Sequence, residues 1–194
     1  MKLEIYKFNS VSSTNDIAID LITKKKKMSG FIYADTQTKG RGSNGNKWIS
    51  ESGNLFSSLF FSLEKSYPAF HEFSIINPII VSDVINNFCD IKMINFKFPN
   101  DILLNKKKVC GLLQETITFN DKKFLIIGIG VNIITNPDIK NKYSATNIFS
   151  ETNIRPKVPE IIKLLSTSYE NFFANISKYN YIDYKKRVDL MAVK

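Results

Sequence analysis

The sequence predicts an α+β fold, in which a β-sheet is backed by helices within a single domain. Residues 3–8 alternate with a period of two and residues 125–133 are a short apolar run, as strands are, whereas residues 156–173 repeat apolar side chains with helical spacing. A length of 194 residues with 43% hydrophobic content is enough for one substantial core. We therefore expect residues 1–194 to form one domain.

The first predicted strand, residues 3–8, is followed by a helix that Ser12 or Ser13 can cap. Asp16 then lies near the positive end of the helix. Its apolar side chains fall on one face, at Ile17, Ala18, Leu21 and Ile22. Ser13-Thr14-Asn15 places small polar groups at the strand–helix junction, where they serve either capping alone or contacts with a ligand.

Residues 31–37 predict the second strand, which leads through Gln37 into a glycine-rich loop at residues 38–48. Three glycines within six positions, Gly40, Gly42 and Gly45, let a backbone approach an anion closely and adopt positive φ. The loop carries Lys39, Arg41 and Lys47 with no acid among them. It is suited to closing over phosphate or carboxylate, although a surface loop with chance glycines has the same composition.

The glycine spacing does not predict a dinucleotide fold or a kinase. Those motifs require a helix that opens at the glycines, whereas the segment after Trp48 leads into a strand-like run at residues 55–63. A helix is predicted from Pro68 through residues 73–88, with a break or kink near Asn77 because Pro78 follows. His71, the only histidine, has no Cys, Asp or Asn constellation around it, which predicts a surface or packing role.

Residues 94–115 predict two extended runs around an Asn-Lys hairpin, with Pro99 marking a strand end or bulge. Asp101 could hold magnesium-bound phosphates or orient Lys97. Lys108 begins an otherwise apolar run, so its ammonium lies either in a pocket or at a solvated hairpin tip.

Residues 119–124 predict a hairpin connection and residues 125–133 a buried strand. Gly128 and Gly130 clear one face of that strand for a ligand or a close-packed neighbour, and Asn132 projects from the same face. A polar loop at residues 135–150 and helices at residues 156–173 and 181–190 complete the chain.

The net charge of +9 raises the possibility of nucleic-acid binding, but the excess is mostly lysine in two short runs, residues 24–27 and 106–108. Biased coding composition explains it equally well, and an acidic protein partner would suit the same charge. Two cysteines, Cys89 and Cys110, form no disulfide framework or metal spacing. No apolar run is long enough to span a bilayer and no secretory signal begins the chain, so we expect a cytoplasmic protein.

Five motifs occur along the chain in one order. They are Ser13-Thr14-Asn15, then Gln37-Thr38-Lys39-Gly40-Arg41-Gly42 with Trp48, then Lys97-Phe98-Pro99-Asn100-Asp101, then Lys108 with Gly111-Leu112-Leu113-x-Glu115, then Gly128-Ile129-Gly130-Val131-Asn132. Together, from about residue 11 to residue 132, they resemble the catalytic domain of biotin protein ligases in the biotin/lipoyl ligase superfamily. The resemblance implies a mixed β-sheet backed by helices, an α/β arrangement similar to class II aminoacyl-tRNA synthetases.

The reaction implied by the resemblance is that of a biotin–[acetyl-CoA-carboxylase] ligase, an ATP-dependent enzyme that forms an amide bond. Biotin and ATP, with Mg²⁺, give biotinyl-5′-AMP, which a lysine of a biotin carboxyl carrier protein then attacks. The implied partner is the carrier domain of acetyl-CoA carboxylase or a related carboxylase. Neither DNA nor a membrane is expected as a partner, and the enzyme is expected to be a monomer or homodimer.

The same resemblance assigns the site residues. Arg41 and Lys108 are expected to neutralise the reacting carboxylate and α-phosphate. The expected biotin-binding residues are Ser13, Thr14, Asn15, Gln37, Gly40, Arg41, Gly42, Ser43, Lys108, Gly111, Leu113 and Gly130. The expected ATP-binding residues are Arg41, Asn46, Trp48, Asn100, Asp101 and Asn132, with Asp101 also near the phosphate-bound Mg²⁺.

The chain departs from the family pattern at three points. Ser43 and Asn46 stand where the family loop usually or often has arginine, which predicts weaker retention of the adenylate. Phe98 replaces a common tryptophan. The family's C-terminal SH3-like barrel and the DNA-binding domain of its repressor members have no counterpart in these 194 residues, so a repressor role is not expected.

Two alternatives remain. A lipoyl or octanoyl transferase on the same fold would use a cysteine near the acyl site, and Cys110 lies close in sequence to Lys108. A small buried thiol is the other interpretation of Cys110. A non-catalytic biotin- and nucleotide-binding module is the second alternative, because the two loop arginines are missing.

Overall fold

The computed structural model describes residues 1–137 and 144–193, and within them the strands form one mixed sheet with helices on both faces. The seven strands described are β1 Ile5–Val11, β2 Ser29–Gln37, β3 Leu55–Ser62, β4 Ile94–Lys97, β5 Asp101–Leu104, β6 Lys107–Phe119 and β7 Lys122–Val131. Their order across the sheet is β1-β2-β3-β7-β6-β5-β4. β1 and β2 are parallel and every other neighbouring pair is antiparallel, so the predicted mixed sheet is confirmed.

The helices divide between the two faces of the sheet. They are α1 Thr14–Thr23, α2 Phe73–Ile85, α3 Ile148–Thr152, α4 Val158–Ala174 and α5 Tyr181–Met191. The larger apolar cluster joins α2 and α4 to one face, and a smaller cluster joins α1 to the other. Across the residues described, none of the helices combines the length and apolar composition needed to cross a lipid bilayer.

The central strands are buried on both faces, which explains why β3 is apolar along its length. Phe60 of β3 and Ile126 of β7 belong to the cluster under α1. Their neighbours Leu59 and Ile127 belong to the larger cluster under α2 and α4. A strand covered on both faces carries a nearly continuous apolar run instead of an alternating one.

Several sequence predictions are corrected by the fold. The break at Pro78 is wrong, because α2 continues from Phe73 to Ile85 with the proline inside it. The strand end predicted at Pro99 is confirmed, since Pro99 lies in the turn between β4 and β5, and the first extended run is therefore two strands. The polar loop predicted at residues 135–150 gives way to α3 at Ile148, and residues 138–143 of that prediction lie outside the described residues.

Glu151 of α3 anchors the segment that positions the start of β6. Its carboxylate accepts hydrogen bonds from Thr146 Oγ1 at 2.6 Å, Asn105 Nδ2 at 2.7 Å and Lys107 Nζ at 2.9 Å. The anchored segment pairs with Lys108, whose amide donates to Ser144 O at 2.9 Å and whose carbonyl accepts from Thr146 N at 2.9 Å. The main chain of Lys108 is therefore held between β5 and residues 144–146.

We predict that Glu151→Gln lowers the melting temperature at neutral pH by on the order of 5 °C. Burial alone would raise the pKa of Glu151, but the bonds from Thr146, Lys107 and Asn105 hold the pKa lower, at about 2, against an ordinary 4.5. The stabilisation is present above pH 4.5 and is lost as the pH falls towards 2. Differential scanning calorimetry at several pH values should show the gap between wild type and variant closing over that range. The exposed Glu51→Gln is the control, and a gap that does not change with pH would contradict the prediction.

Candidate active site

A cleft of about 420 Å³ opens on the face of the sheet that α1 covers, at the end where α1 begins. The side chains of the central strands shrink there, from Phe60 and Ile126 under α1 to Ser58, Gly128 and Gly130. Residues 38–48, which we call the flap, supply the opposite wall through residues 41–43 and 46–48. Of the residues expected to bind biotin or ATP, all except Gly40 and Asn132 line this cleft.

Trp48 of the flap lies directly on two glycines that face each other across β6 and β7. A Cβ atom on Gly111 would lie 2.6 Å from Trp48 Cζ3, and one on Gly130 would lie 2.5 Å from Trp48 Cε2. The glycines expected to form pocket walls thus also seat the flap's indole. The Nε1 atom of Trp48 is buried and has no hydrogen-bond partner among the described residues, so this donor is left for a polar atom in the cleft.

Small polar residues from α1, β2 and β3 form one connected end of the cleft. Thr14 N and Thr14 Oγ1 donate to Gln37 Oε1, at 2.8 and 3.2 Å, and Ser58 Oγ lies 2.7 Å from Thr14 Oγ1. Ser58 Oγ also bonds to Asn15 Oδ1, and Ser13 is buried beside them. Ser13 occupies the N-cap position without a side-chain capping bond, so its hydroxyl does not serve the helix. These donors and acceptors suit a small polar ring.

The flap is tied to the sheet through Arg41. One guanidinium nitrogen pairs with Asp16 of α1, and the other donates to Glu115 Oε2 of β6 at 2.7 Å. Partial burial alone would lower the pKa of Arg41, but the bonds to the two carboxylates raise it above its usual value. The arginine expected to neutralise substrate charge is therefore already paired twice.

Lys108 lies in the cleft instead of at a solvated hairpin tip. Its Nζ is 2.7 Å from Asp101 Oδ1, and the two side chains are only 13% and 17% exposed. The same Nζ lies 5.4 Å from the centroid of the Trp48 ring. Among the described residues, Asp101 pairs with this lysine and not with Lys97, which contradicts one of the two roles predicted for Asp101. The ammonium is placed where the cleft floor meets the flap.

Asn100 holds the tip of the flap. Its Nδ2 donates to Ser43 Oγ at 3.2 Å and to Leu112 O at 3.0 Å. Asn46, in turn, donates to Ser43 O at 2.9 Å. Ser43 and Asn46 both line the cleft, so the two positions at which this chain lacks an arginine are at the site.

Gly40 and Asn132, which do not line the cleft, make contacts within the protein. A Cβ atom on Gly40 would lie 2.5 Å from Trp48 O, because the flap closes back on itself there. Asn132 is buried and donates from Nδ2 to Thr146 O at 3.0 Å, beside a small adjoining cavity that Lys108 also lines. Asn132 thus lies behind Lys108 and not on the main cleft wall.

Several residues of the site were missed by sequence reasoning. They are Ile49, Phe56, Ser57, Leu112 and Ile129, which line the cleft, and Asp16, Ser58 and Glu115, which support its walls. Lys47 and Gly128 also line it, as the loop cations and the glycine spacing indicated. Glu115 was recognised as part of a motif without a role. Its position at two and four residues after Leu113 and Gly111 on one strand was the signal that it shares their face.

The cysteines do not take part in the site. Cys110 is completely buried and its burial raises the pKa of the thiol far above the ordinary value. Burial also raises the pKa of Cys89, to about 11. Neither thiol lines the cleft, so the interpretation of Cys110 as a small buried thiol is the one the geometry favours.

The sequence profile of the biotin/lipoate A/B protein ligase family matches residues 7–132, which include every residue lining the cleft. The chain belongs to this family. Among curated members, the bifunctional ligase/repressor BirA of Escherichia coli is 34% identical over 125 residues, covering 63% of this chain and 38% of BirA. The biotin–[acetyl-CoA-carboxylase] ligase of Paracoccus denitrificans is 26% identical over 159 residues, covering 79% of this chain and 66% of that protein. The chain spans well under half the length of BirA.

Solved structures of family members share the fold. The biotin protein ligase of Aquifex aeolicus in complex with biotin and ATP superposes with a TM-score of 0.80 at 26% identity, covering 98% of this chain and 78% of that one. The Leishmania major biotin protein ligase in complex with biotinyl-5-AMP gives a TM-score of 0.84 at 23% identity, covering 98% and 81%. The predicted catalytic fold of biotin protein ligases is confirmed.

We predict that Gly130→Ala displaces the indole of Trp48 from the sheet. The added methyl group would fall 2.5 Å from Trp48 Cε2, well inside contact distance. Trp48 is the only tryptophan, so its emission should shift to longer wavelength as the indole becomes exposed. Gly42→Ala is a matched control in the flap, because its Cβ would meet nothing closer than 3.4 Å. Unchanged emission in Gly130→Ala would contradict the packing described.

Proposed function

We propose that this chain activates biotin with ATP to biotinyl-5′-AMP and transfers the biotinyl group to a lysine of a biotin carboxyl carrier protein. The observation that carries the proposal is the cleft itself. Its polar end, built around Thr14 and Gln37, and the ammonium of Lys108 face a common cavity under a glycine-rich flap. The family membership and the named substrates of the Aquifex aeolicus relative support the same assignment.

Each part of the cleft has a role in this proposal. Ser13, Thr14, Asn15 and Gln37 bind the ureido ring of biotin, and Leu113 and the glycines of the floor form the walls along its apolar part. Trp48, Asn46 and Asn100 bind the nucleotide, and Asn132 supports that side of the site from the small cavity beside Lys108. The described residues build one sheet with its helices, which supports a single catalytic domain.

Lys108 is the cation that we assign to the reacting centre. A carboxylate and a phosphate repel one another, and a preorganised charge in a water-poor site lowers the barrier to their reaction by several kcal/mol. The ammonium of Lys108 is mostly buried and borders the cleft, so its charge is weakly screened. Asp101 keeps it oriented before the substrates bind.

Mg²⁺ would enter with ATP and reduce the charge of its phosphates. Magnesium commonly keeps several waters and uses one or two protein carboxylates in addition to phosphate oxygens. No group of three or more His, Cys, Asp or Glu side chains in residues 1–137 and 144–193 is placed to hold a metal. Asp101, which lines the cleft, fits the role of a single carboxylate next to phosphate-bound magnesium.

A carrier protein suits the arrangement of the lysines better than DNA does. The run at residues 24–27 follows the far end of α1, whereas Lys107 and Lys108 lie near the cleft, so the two runs are at opposite ends of the sheet. A nucleic-acid footprint requires basic side chains that cluster on one face. The exposed Lys47, which lines the cleft, would favour an acidic surface around the target lysine of the carrier.

The first test is biotin-stimulated exchange of pyrophosphate into ATP, followed by biotinylation of a purified carrier domain. We expect both activities in the wild type and a fall of at least about 10²-fold in exchange for Lys108→Ala, since a charge at the reacting centre is removed. Lys122→Ala is the matched control, because Lys122 is exposed and does not line the cleft. Binding of biotin and ATP without exchange would instead identify a non-catalytic module.

We also predict that Ser43→Arg slows the escape of biotinyl-5′-AMP by about tenfold or more, since a charge-assisted hydrogen bond contributes about 1.5–3 kcal/mol. Release of the trapped intermediate would be timed after rapid removal of free substrates. Thr38→Arg adds the same charge to an exposed flap position that does not line the cleft, and it is the control. Equal release from wild type and Ser43→Arg would show that Ser43 does not limit retention.

A further inference from the structure

We propose that Asp16 and Glu115 form an anionic latch that grips Arg41 and holds the flap closed over the cleft. Arg41 is then a positioning residue, and its guanidinium does not serve as the partner of the substrate phosphate. The effect of the latch on catalysis rests on the function proposed above, whereas its effect on the flap does not.

The latch connects the flap to two elements that the sheet fixes. Asp16 lies in the first turn of α1, and Glu115 lies in the middle of β6. The planar guanidinium of Arg41 reaches both, with one nitrogen on each carboxylate. An arginine presents its donors as a fork and is suited to bridging two carboxylates, whereas a lysine ammonium is a single point charge.

The charges around Arg41 argue against a role as phosphate partner. One guanidinium and two carboxylates sum to one negative charge, so the trio as it stands repels an anion. Arg41 and the Lys108–Asp101 pair both line the cleft, but the charges of that pair sum to zero and its side chains are mostly buried. Moving Arg41 to a phosphate would leave Asp16 and Glu115 close together without their shared cation, which costs free energy.

The latch is continuous with the polar end of the cleft. Glu115 Oε2 accepts from Arg41 and also from Asn15 Nδ2, at 2.6 Å. Asn15 in turn bonds to Ser58, which touches Thr14. A ring bound at Thr14 and Gln37 would order these side chains, and through Glu115 it would favour the closed flap. Substrate binding and flap closure are therefore coupled through Asn15.

The latch is also weak enough to open. The side chains of Arg41, Asp16 and Glu115 are 36%, 40% and 33% exposed. Ion pairs at this level of exposure are individually weak and are screened by salt. The ion pairs of Arg41 can therefore break to let the flap open when substrates enter, and they can form again when the flap closes.

Quenching of Trp48 fluorescence by acrylamide tests the latch without reference to activity, because Trp48 is the only tryptophan and packs between the flap and the sheet. We expect the quenching constant to rise about twofold in Asp16→Asn and in Glu115→Gln, and further in the double variant. Molar NaCl should raise it in the wild type and leave the double variant unchanged. Asp83→Asn is the control and should match the wild type. It breaks the ion pair between Asp83 of α2 and Arg187 of α5, outside the latch.

Wild-type quenching in the double variant, with native circular dichroism, would overturn the latch. If Glu115→Gln or the double variant fails to fold, Asp16→Asn decides the question. Asp16 is partly exposed in the first turn of α1, so we expect this variant to fold. An Asp16→Asn protein quenched like the wild type would then refute the proposal.

Exchange kinetics give the second readout. The latch predicts that Arg41→Lys and Arg41→Met raise KM for biotin by a similar factor, about fivefold, and change kcat by less than about twofold. A fall in kcat for Arg41→Met that Arg41→Lys rescues, with KM unchanged, would assign Arg41 to charge neutralisation and overturn the latch. Absence of exchange in the wild type would refute the proposed function, while the quenching data would still decide the latch.

Discussion

The site depends on the close approach of Trp48 to the backbones of β6 and β7. Gly111 and Gly130 are register partners, and the indole rests on both of them. Any side chain at these positions would separate the flap from the sheet. This contact sets the distance between the flap and the sheet, and that distance determines the shape of the cleft between them. The packing of one ring on two glycines thus fixes the width of the cavity.

A second constraint is that two of the cations lining the cleft, Lys108 and Arg41, are each compensated by carboxylates. Lys108 is paired with Asp101, and Arg41 is shared between Asp16 and Glu115. A partly buried positive charge is costly without a partner, and the carboxylates beside these two cations offset that cost. The two arrangements differ in consequence. The mostly buried pair fixes an ammonium at the cleft, whereas the more exposed trio joins the flap to α1 and β6.

Much of the site was predictable from the sequence, and the reasons are local. Gly128 and Gly130 are two residues apart on one strand, which indicates a face without side chains. The flap is indicated by three glycines and by basic residues with no acidic residue among them. Tertiary contacts were not predictable in the same way. Nothing local links Arg41 to Asp16 and Glu115, which are 25 and 74 positions away. The continuity of α2 through Pro78 was likewise decided by packing, since the helix is buried along most of its length.

The pairing of residues 144–146 with Lys108 separates the lining of the cleft from its support. Every residue on the cleft wall precedes residue 132, but the amide and carbonyl of Lys108 bond to Ser144 and Thr146. Glu151 secures that segment through three hydrogen bonds. A truncated polypeptide that stopped at residue 132 would keep the complete inventory of wall side chains. It would nevertheless lose the segment that holds the main chain of Lys108, so a fragment that keeps this support has to extend at least as far as α3.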